Sequence, residues 1–255
     1  MRFVTILLPV KILSMNKWTV ILTFLMFSAA GSAQNLQLHY DFRHSLDPKL
    51  NSENFPSISF EYFKLIDTLE TGSFLMKVQA DFKGKDQNIG QVFMQLSQSL
   101  RFWKPKFYIY LNYSGGLGVT KSSFGFYIAN SYGIGISYPF QWKGAWLATN
   151  FSFRYNAFKK PSYDPQFTFY FGRGIANWKF FTAGSFVFWT ENLDQGEEFT
   201  RDRKGKKFAF FGDPQFWMKV KGGLSAGSRL NVFYHTLTED DEIRIYPTLG
   251  LKYQF

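Results

Sequence analysis

The chain has 255 residues, no cysteine and three histidines, which excludes a disulfide framework and thiolate metal sites and leaves too few imidazoles for a histidine-built centre. Aromatic residues make up 21% of it, yet the mean hydropathy of -0.18 excludes a bundle of membrane helices. A net charge of +10 and a pI near 9.6 would suit a nucleic-acid partner in a cytosolic protein, but the amino terminus removes that reading.

Lys17 precedes an apolar run, Trp18 to Phe27, and then the small residues Ser28 to Ala33. This is the order of a secretory signal peptide: charged region, short apolar core, small-residue cleavage site, here Gly31-Ser32-Ala33. The expected signal peptide is 1–33, with Met15 as an alternative start and Gln34 as the mature end. The run is well short of the roughly 20 residues of an anchoring helix. The segment holds Arg2, Lys11 and Lys17 and no acid, so the mature charge is +10 − 3 = +7. Export makes nucleic acid an unsuitable partner.

The mature chain alternates. In Asn35 to Arg43, Leu36, Leu38, Tyr40 and Phe42 oppose Gln37, His39, Asp41 and Arg43. A period of two is the mark of a strand with one apolar and one polar face. Further strands are predicted over 57–65, 73–83, 91–102, 107–114, 128–138, 146–155, 166–172, 179–190, 208–220 and 227–237. Glycine- and serine-rich residues 115–125 read as a loop, as do 156–165. The phase of 179–190 stays open, because both of its faces carry Phe. The last stretch, Ile243 to Phe255, alternates to its final residue. A closing strand with Leu251, Tyr253 and a terminal Phe255 on one face resembles the C-terminal signal by which assembly machinery recognises bacterial outer-membrane barrels.

About twelve strands, joined by short turns and longer loops in alternation, give an all-β fold: one transmembrane up-and-down antiparallel β-barrel over 34–255 in the bacterial outer membrane. Periodicity alone does not say which face is outside; a soluble barrel would put the apolar face inside. Export, the terminal Phe, the excess of rings and the charges on the polar face favour lipid outside and a polar lumen. Lipid and lipopolysaccharide are then the surroundings.

The segments LQLHYDFR (36–43), NYSGGL (112–117), DPQFWMKV (213–220) and YPTLGLKYQF (246–255) resemble an uncharacterised outer-membrane family placed beside the nucleoside-specific channel-forming proteins. The resemblance implies a monomeric twelve-stranded barrel that passes a small polar solute, with nucleosides as the candidate. It transfers no nucleoside-contacting residue to this chain.

Candidate sites follow from the phase. Tyr108, Tyr110, Tyr170, Phe211 and Trp217 fall on the inward face beside amides, as a solute-stacking surface or as simple lumen filling. His39, Asp41, Arg43, His235 and Arg244 are expected near one end of the lumen where the first and last strands meet. Asp41 is expected between the two arginines, as a clasp on the seam or as a constriction. GGLGVTKS (115–122) lacks the spacing of a phosphate-binding loop, and no cofactor or metal is expected. Glu191 to Lys207 carries five acids and five bases, and reads as a solvated loop, a lid or a lipopolysaccharide contact. Glu239 to Glu242 reads as an exposed tip or a weak divalent-cation site. A closed structural or adhesive barrel is the alternative to a channel. An outer-membrane phospholipase would need a Ser–His pair at the lipid face, and the phase offers none.

Overall fold

The computed structural model describes residues 33–66, 72–157, 160–196, 198–237 and 240–255. The expected signal peptide lies outside these residues except for Ala33, which already opens the first strand. The strands are β1 (Ala33–Asp41), β2 (Phe55–Ile66), β3 (Gly72–Asp81), β4 (Gln91–Leu100), β5 (Tyr108–Val119) and β6 (Gly125–Trp142). They continue as β7 (Ala145–Asn156), β8 (Ser162–Ile175), β9 (Phe180–Asn192), β10 in two pieces (Lys206–Gly212 and Gln215–Lys221), β11 (Leu224–Tyr234) and β12 (Arg244–Gln254). A single helical turn, α1 (Arg43–Leu46), follows β1. No helix among the described residues is long and apolar enough to cross a membrane.

Every strand pairs antiparallel with its chain neighbours, and β1 pairs with β12 from Asn35↔Gln254 to Asp41↔Thr248. The sheet therefore closes on itself as a twelve-stranded barrel, which leaves no edge unpaired. Both pieces of β10 pair with β9 on one side and β11 on the other, so they are one strand interrupted at Asp213-Pro214. Pro214 has no N–H to give the ladder, and the break sits where that donor would be needed.

Burial fixes the sense of the barrel. On β1, Leu38 is 52% exposed while His39 beside it is 1% exposed; on β12, Leu249 is 63% exposed and Thr248 1%. The apolar face is outside and the polar face inside, the arrangement that suits hydrocarbon and not water. The molecule is an outer-membrane barrel. Rings stack along its outer wall: Phe186 and Phe188 from β9 lie 6.1 and 4.7 Å from Phe210 of β10.

The open phase of β9 follows from its partners. Tyr170 pairs with Ser185 and Phe169 with Phe186, which puts Phe181, Ser185 and Trp189 inward and Phe180, Phe186 and Phe188 outward. Two expected loops are shorter than composition suggested. Gly115 to Val119 continue β5, held by ladders to β4 and β6, so only residues 120–124 turn. Pro165 lies within β8 opposite Phe153, but the ladder to β9 starts only at Gln166, so its missing donor costs nothing on that side. The two ends of the barrel, Ala33 and Phe255, lie at one rim, the rim of the chain ends. That rim also carries the short turns, which in barrels of this kind face the periplasm.

Candidate functional site: the lumen

Inward side chains divide the lumen into two walls. Strands β4 to β9 present buried uncharged groups at mid-height: Ser97, Asn112, Asn150, Ser152, Thr168 and Ser185. Strands β10 to β12 and β1 to β3, with Arg43 of α1, present Asp41, Glu61, Asp81 and Asp213 against Arg43, Lys77, Arg229 and Lys252, while β7 to β9 add Arg154, Asp164 and Glu191 nearer the far rim. Acids and bases alternate around this wall, which makes it strongly dipolar in detail.

Its centre is a network on Lys77. Nζ donates to Asp213 Oδ2 at 3.3 Å and lies 3.9 Å from Glu61 Oε1. Glu61 is on the adjacent strand, but β3 and β10 stand on opposite sides of the ring, so the bond to Asp213 crosses the lumen. Asp213 is held for this by the Ser185 N–H and hydroxyl, at 2.6 and 2.7 Å on Oδ1. The register to β9 runs unbroken across Pro214, so Asp213 faces inward by the same alternation as Phe211 and Gln215. Two further contacts span the barrel. Gln95 on β4 donates to Tyr170 Oη on β8 at 2.8 Å, and Phe63 on β2 meets Trp146 on β7 edge-on at 5.7 Å. With Leu75, Ala148 and Tyr170, the last pair makes an apolar layer on the side of the chain ends.

His39 is buried beneath the seam. Gln37 gives its amide hydrogens to Asn35 and Glu61, so its oxygen accepts from His39 Nε2 at 2.9 Å. The other ring nitrogen, Nδ1, lies 2.9 Å from Thr248 Oγ1, so both nitrogens of the buried ring have hydrogen-bond partners. Trp217 packs edge-on against the ring at 5.5 Å, donates its own N–H to Gln215, and carries Lys252 Nζ 4.7 Å over its face.

At the far rim the expected five-residue group comes apart. Asp41 does hold Arg43, with Nε to Oδ1 at 3.1 Å and Nη2 to Oδ2 at 2.7 Å, and Asn231 adds a bond at 3.3 Å. The guanidinium is enclosed by Phe55, Tyr246 and Phe233 at 4.8, 5.3 and 5.8 Å. Asp41 does not, however, stand between two arginines. Arg244 turns to the loops, to Asp47 at 2.8 Å, Glu242 at 2.9 Å and Asp240. His235 lies past the end of β11 with a positive φ of 53°, which takes its ring out of the strand's alternation. It bonds the Phe208 carbonyl and Asp241 and stacks on Tyr234, away from the lumen. The acids considered for a divalent cation are thus engaged by Arg244 and His235; Glu239 lies outside the described residues.

The candidate rings scatter along the lumen. Tyr108 lies under Arg101 near the rim of the chain ends, Tyr110 and Tyr170 sit in the uncharged wall, Phe211 pairs with Phe233 higher up, and Trp217 lines the charged wall. They do not form one stacking surface. Asp213, Arg229 and Lys252 were not singled out from strand phase, while Lys77 falls on the polar face of its strand by alternation. The one hint was the unusual Asp-Pro inside an otherwise regular strand. Leu251 and Tyr253 face outward, and Phe255 caps the seam through its N–H to the Gln34 carbonyl at 3.1 Å.

Comparison with solved structures gives barrels of similar size. The KdgM porin matches at 8% identity over 88% of this chain and 99% of its own, with a TM-score of 0.47. The NanC porin matches at 10% identity over 88% and 100%, with a TM-score of 0.49. LpxR from Salmonella typhimurium matches at 8% over 88% and 100%, with a TM-score of 0.45. Likenesses this distant carry no weight for what the lumen does. Among curated proteins no sequence matches the chain. The model of one family, described as a domain of unknown function (DUF5020), spans residues 33–255, the whole barrel, and the chain belongs to that family.

Proposed function

We propose that the protein is a narrow outer-membrane channel for small polar solutes, shut in the described conformation by contacts that cross its lumen. The charged wall facing a hydroxyl and amide wall is the observation that carries this reading. Buried ion pairs contribute little or nothing to stability compared with apolar packing of the same volume. The charges lining the interior are therefore better accounted for by a solute path than by a need to fill the barrel. The transverse field they set up would orient a dipolar solute against the uncharged wall.

The test is conductance of the purified mature chain in planar bilayers. Small, flickering unitary currents are expected, with larger and longer openings in Asp213→Ala and Trp146→Ala. A second reading, a closed structural or adhesive barrel, is supported by the same cross-lumen contacts; no current in the wild type or in either variant would decide for it. Nucleosides remain the solute we propose on the strength of the family resemblance, and they should reduce the current more than sugars of equal size. Export by the 1–33 signal peptide, insertion by the barrel-assembly machinery through Phe255, a monomeric state and contact with lipopolysaccharide complete the proposal.

A non-enzymatic role is supported by the histidines. His39 is committed to Thr248 and Gln37, His44 to the Asn51 carbonyl, and His235 to the Phe208 carbonyl and Asp241, with no serine on any of them. Phospholipid hydrolysis by the purified barrel would overturn it.

A further inference from the structure

The two rims differ in how their charges are used. At the far rim bases and acids are mixed. Lys121 pairs with Glu53, Lys160 with Asp194, Lys206 with Asp164, Lys207 with Glu191 and Arg244 with three carboxylates. The exposed Lys49, Lys85, Arg201 and Lys204, to which no described carboxylate bridges, share their loops with Asp47, Asp86, Glu198 and Asp202. At the rim of the chain ends, residues 101–107, 143–144, 173–179 and 219–223 hold eight basic side chains and no acid. Lys104, Lys106, Lys143, Lys179, Lys219 and Lys221 are exposed there, and no described carboxylate bridges to them. The acids of the β2–β3 turn, Asp67 and Glu70, lie outside the described residues. Large exposed rings alternate with the lysines: Phe102 at 76%, Trp142 at 62% and Trp178 at 68%. Lys143 Nζ lies 5.2 Å over the Trp142 ring.

Amphipathic rings at the boundary of an apolar band sit at headgroup level, where the ring body meets the acyl chains. Lysines beside them then stand among the headgroups, and unpaired positive charge is complementary to anionic ones. The short turns place this rim at the periplasmic leaflet, which is built of phospholipid. We propose that the rim of the chain ends is a binding surface for anionic phospholipid headgroups, held by Lys104, Lys106, Lys143 and Lys179 with Trp142 and Trp178 as the interfacial anchors.

One lysine near an anionic surface is worth a factor of about five in lipid partition. The mature chain is reconstituted in nanodiscs of phosphatidylcholine with a minor fraction of phosphatidylglycerol, and the lipids retained after gentle delipidation are counted by native mass spectrometry. Wild type is expected to retain phosphatidylglycerol above its bulk fraction, with the preference falling as salt is raised. The variant Lys104→Gln/Lys106→Gln/Lys143→Gln/Lys179→Gln changes only exposed side chains, and should lower that enrichment by at least about fivefold. Lys121→Gln/Lys160→Gln, at the opposite rim, should leave it unchanged. Heat-modifiable migration checks that each variant is folded. Equal retention of the two lipids by wild type, or the same enrichment in wild type and the four-lysine variant, would overturn the proposal.

Discussion

Arg43 shows what a single buried charge does at the seam. Its guanidinium is bidentate to Asp41 and enclosed by three rings, and the two side chains are 10% and 3% exposed. Arg43→Ala leaves an unpaired buried carboxylate, and should lower stability by about 3–5 kcal/mol in urea unfolding from detergent. Arg244 has better-solvated partners, with Asp240 and Glu242 44% and 68% exposed. Arg244→Ala should therefore cost about 1 kcal/mol or less, and an equal loss in the two variants would contradict this account. The loop acid Asp194 responds to pH. The bond from Lys160 Nζ at 2.6 Å, with the Gly196 N–H, holds its carboxyl below the ordinary value of 3.8. A carboxyl lowered by folding stabilises fully above its unfolded value. That contribution starts to fade as pH falls through 3.8 and is gone below the folded value. Proteolysis of residues 193–205 should accelerate over that interval in wild type, and already at neutral pH in Lys160→Ala.

At the scale of elements, β6 and β10 carry the local departures from a regular ladder. β6 passes close to β7, so a Cβ on Gly135 would stand 2.0 Å from the Phe151 carbonyl oxygen. Backbone has to move to admit it, and Gly135→Ala should cost about 1–3 kcal/mol while Gly144→Ala in the open β6–β7 turn is limited by its φ of +77° and not by space. Circular dichroism melts of the two variants compare the effects. In β10 the ladder is interrupted at Asp213-Pro214. Asp213 N–H still reaches the Ser185 carbonyl at 3.0 Å, and the Leu230 N–H reaches the Pro214 carbonyl at 2.9 Å. The interruption thus keeps the strand's backbone bonds and its alternation, and Asp213 points inward to accept from Lys77.

For the whole molecule, closure rests on the β1–β12 ladder, and the proposed assembly signal ends at Phe255. Phe255 gives the seam one backbone hydrogen bond. Its deletion should cost about 1 kcal/mol or less once the barrel is folded. On the assembly role proposed for Phe255, the amount of protein reaching the outer membrane should nevertheless fall sharply. Normal membrane levels of the deleted chain, scored by heat-modifiable migration, would remove the assembly role. The same closed architecture explains why lumenal variants are expected to act on conductance more than on folding: Asp213→Ala frees Lys77 into a polar, partly wet interior, where Glu61 remains at 3.9 Å.

Strand number, the two faces of each strand and the membrane setting were legible in the sequence, because alternation is a local property and every strand but β9 displays it over several residues. β9 hid its phase behind rings on both faces; the partners Tyr170 and Phe169 decide it, and those are contacts between strands. Composition misread Gly115 to Val119 as a loop, since glycine favours turns locally while two flanking ladders hold it extended here. The group at the seam was visible only in part. Asp41 and Arg43 are two residues apart and meet as near neighbours although β1 ends at Asp41 and Arg43 opens α1, whereas Arg244 and His235 depend on how each strand ends. Least legible was the bond from Lys77 to Asp213. Two residues 136 positions apart meet only because twelve strands close into one ring, and closure is a property of the whole sheet that no stretch of sequence carries.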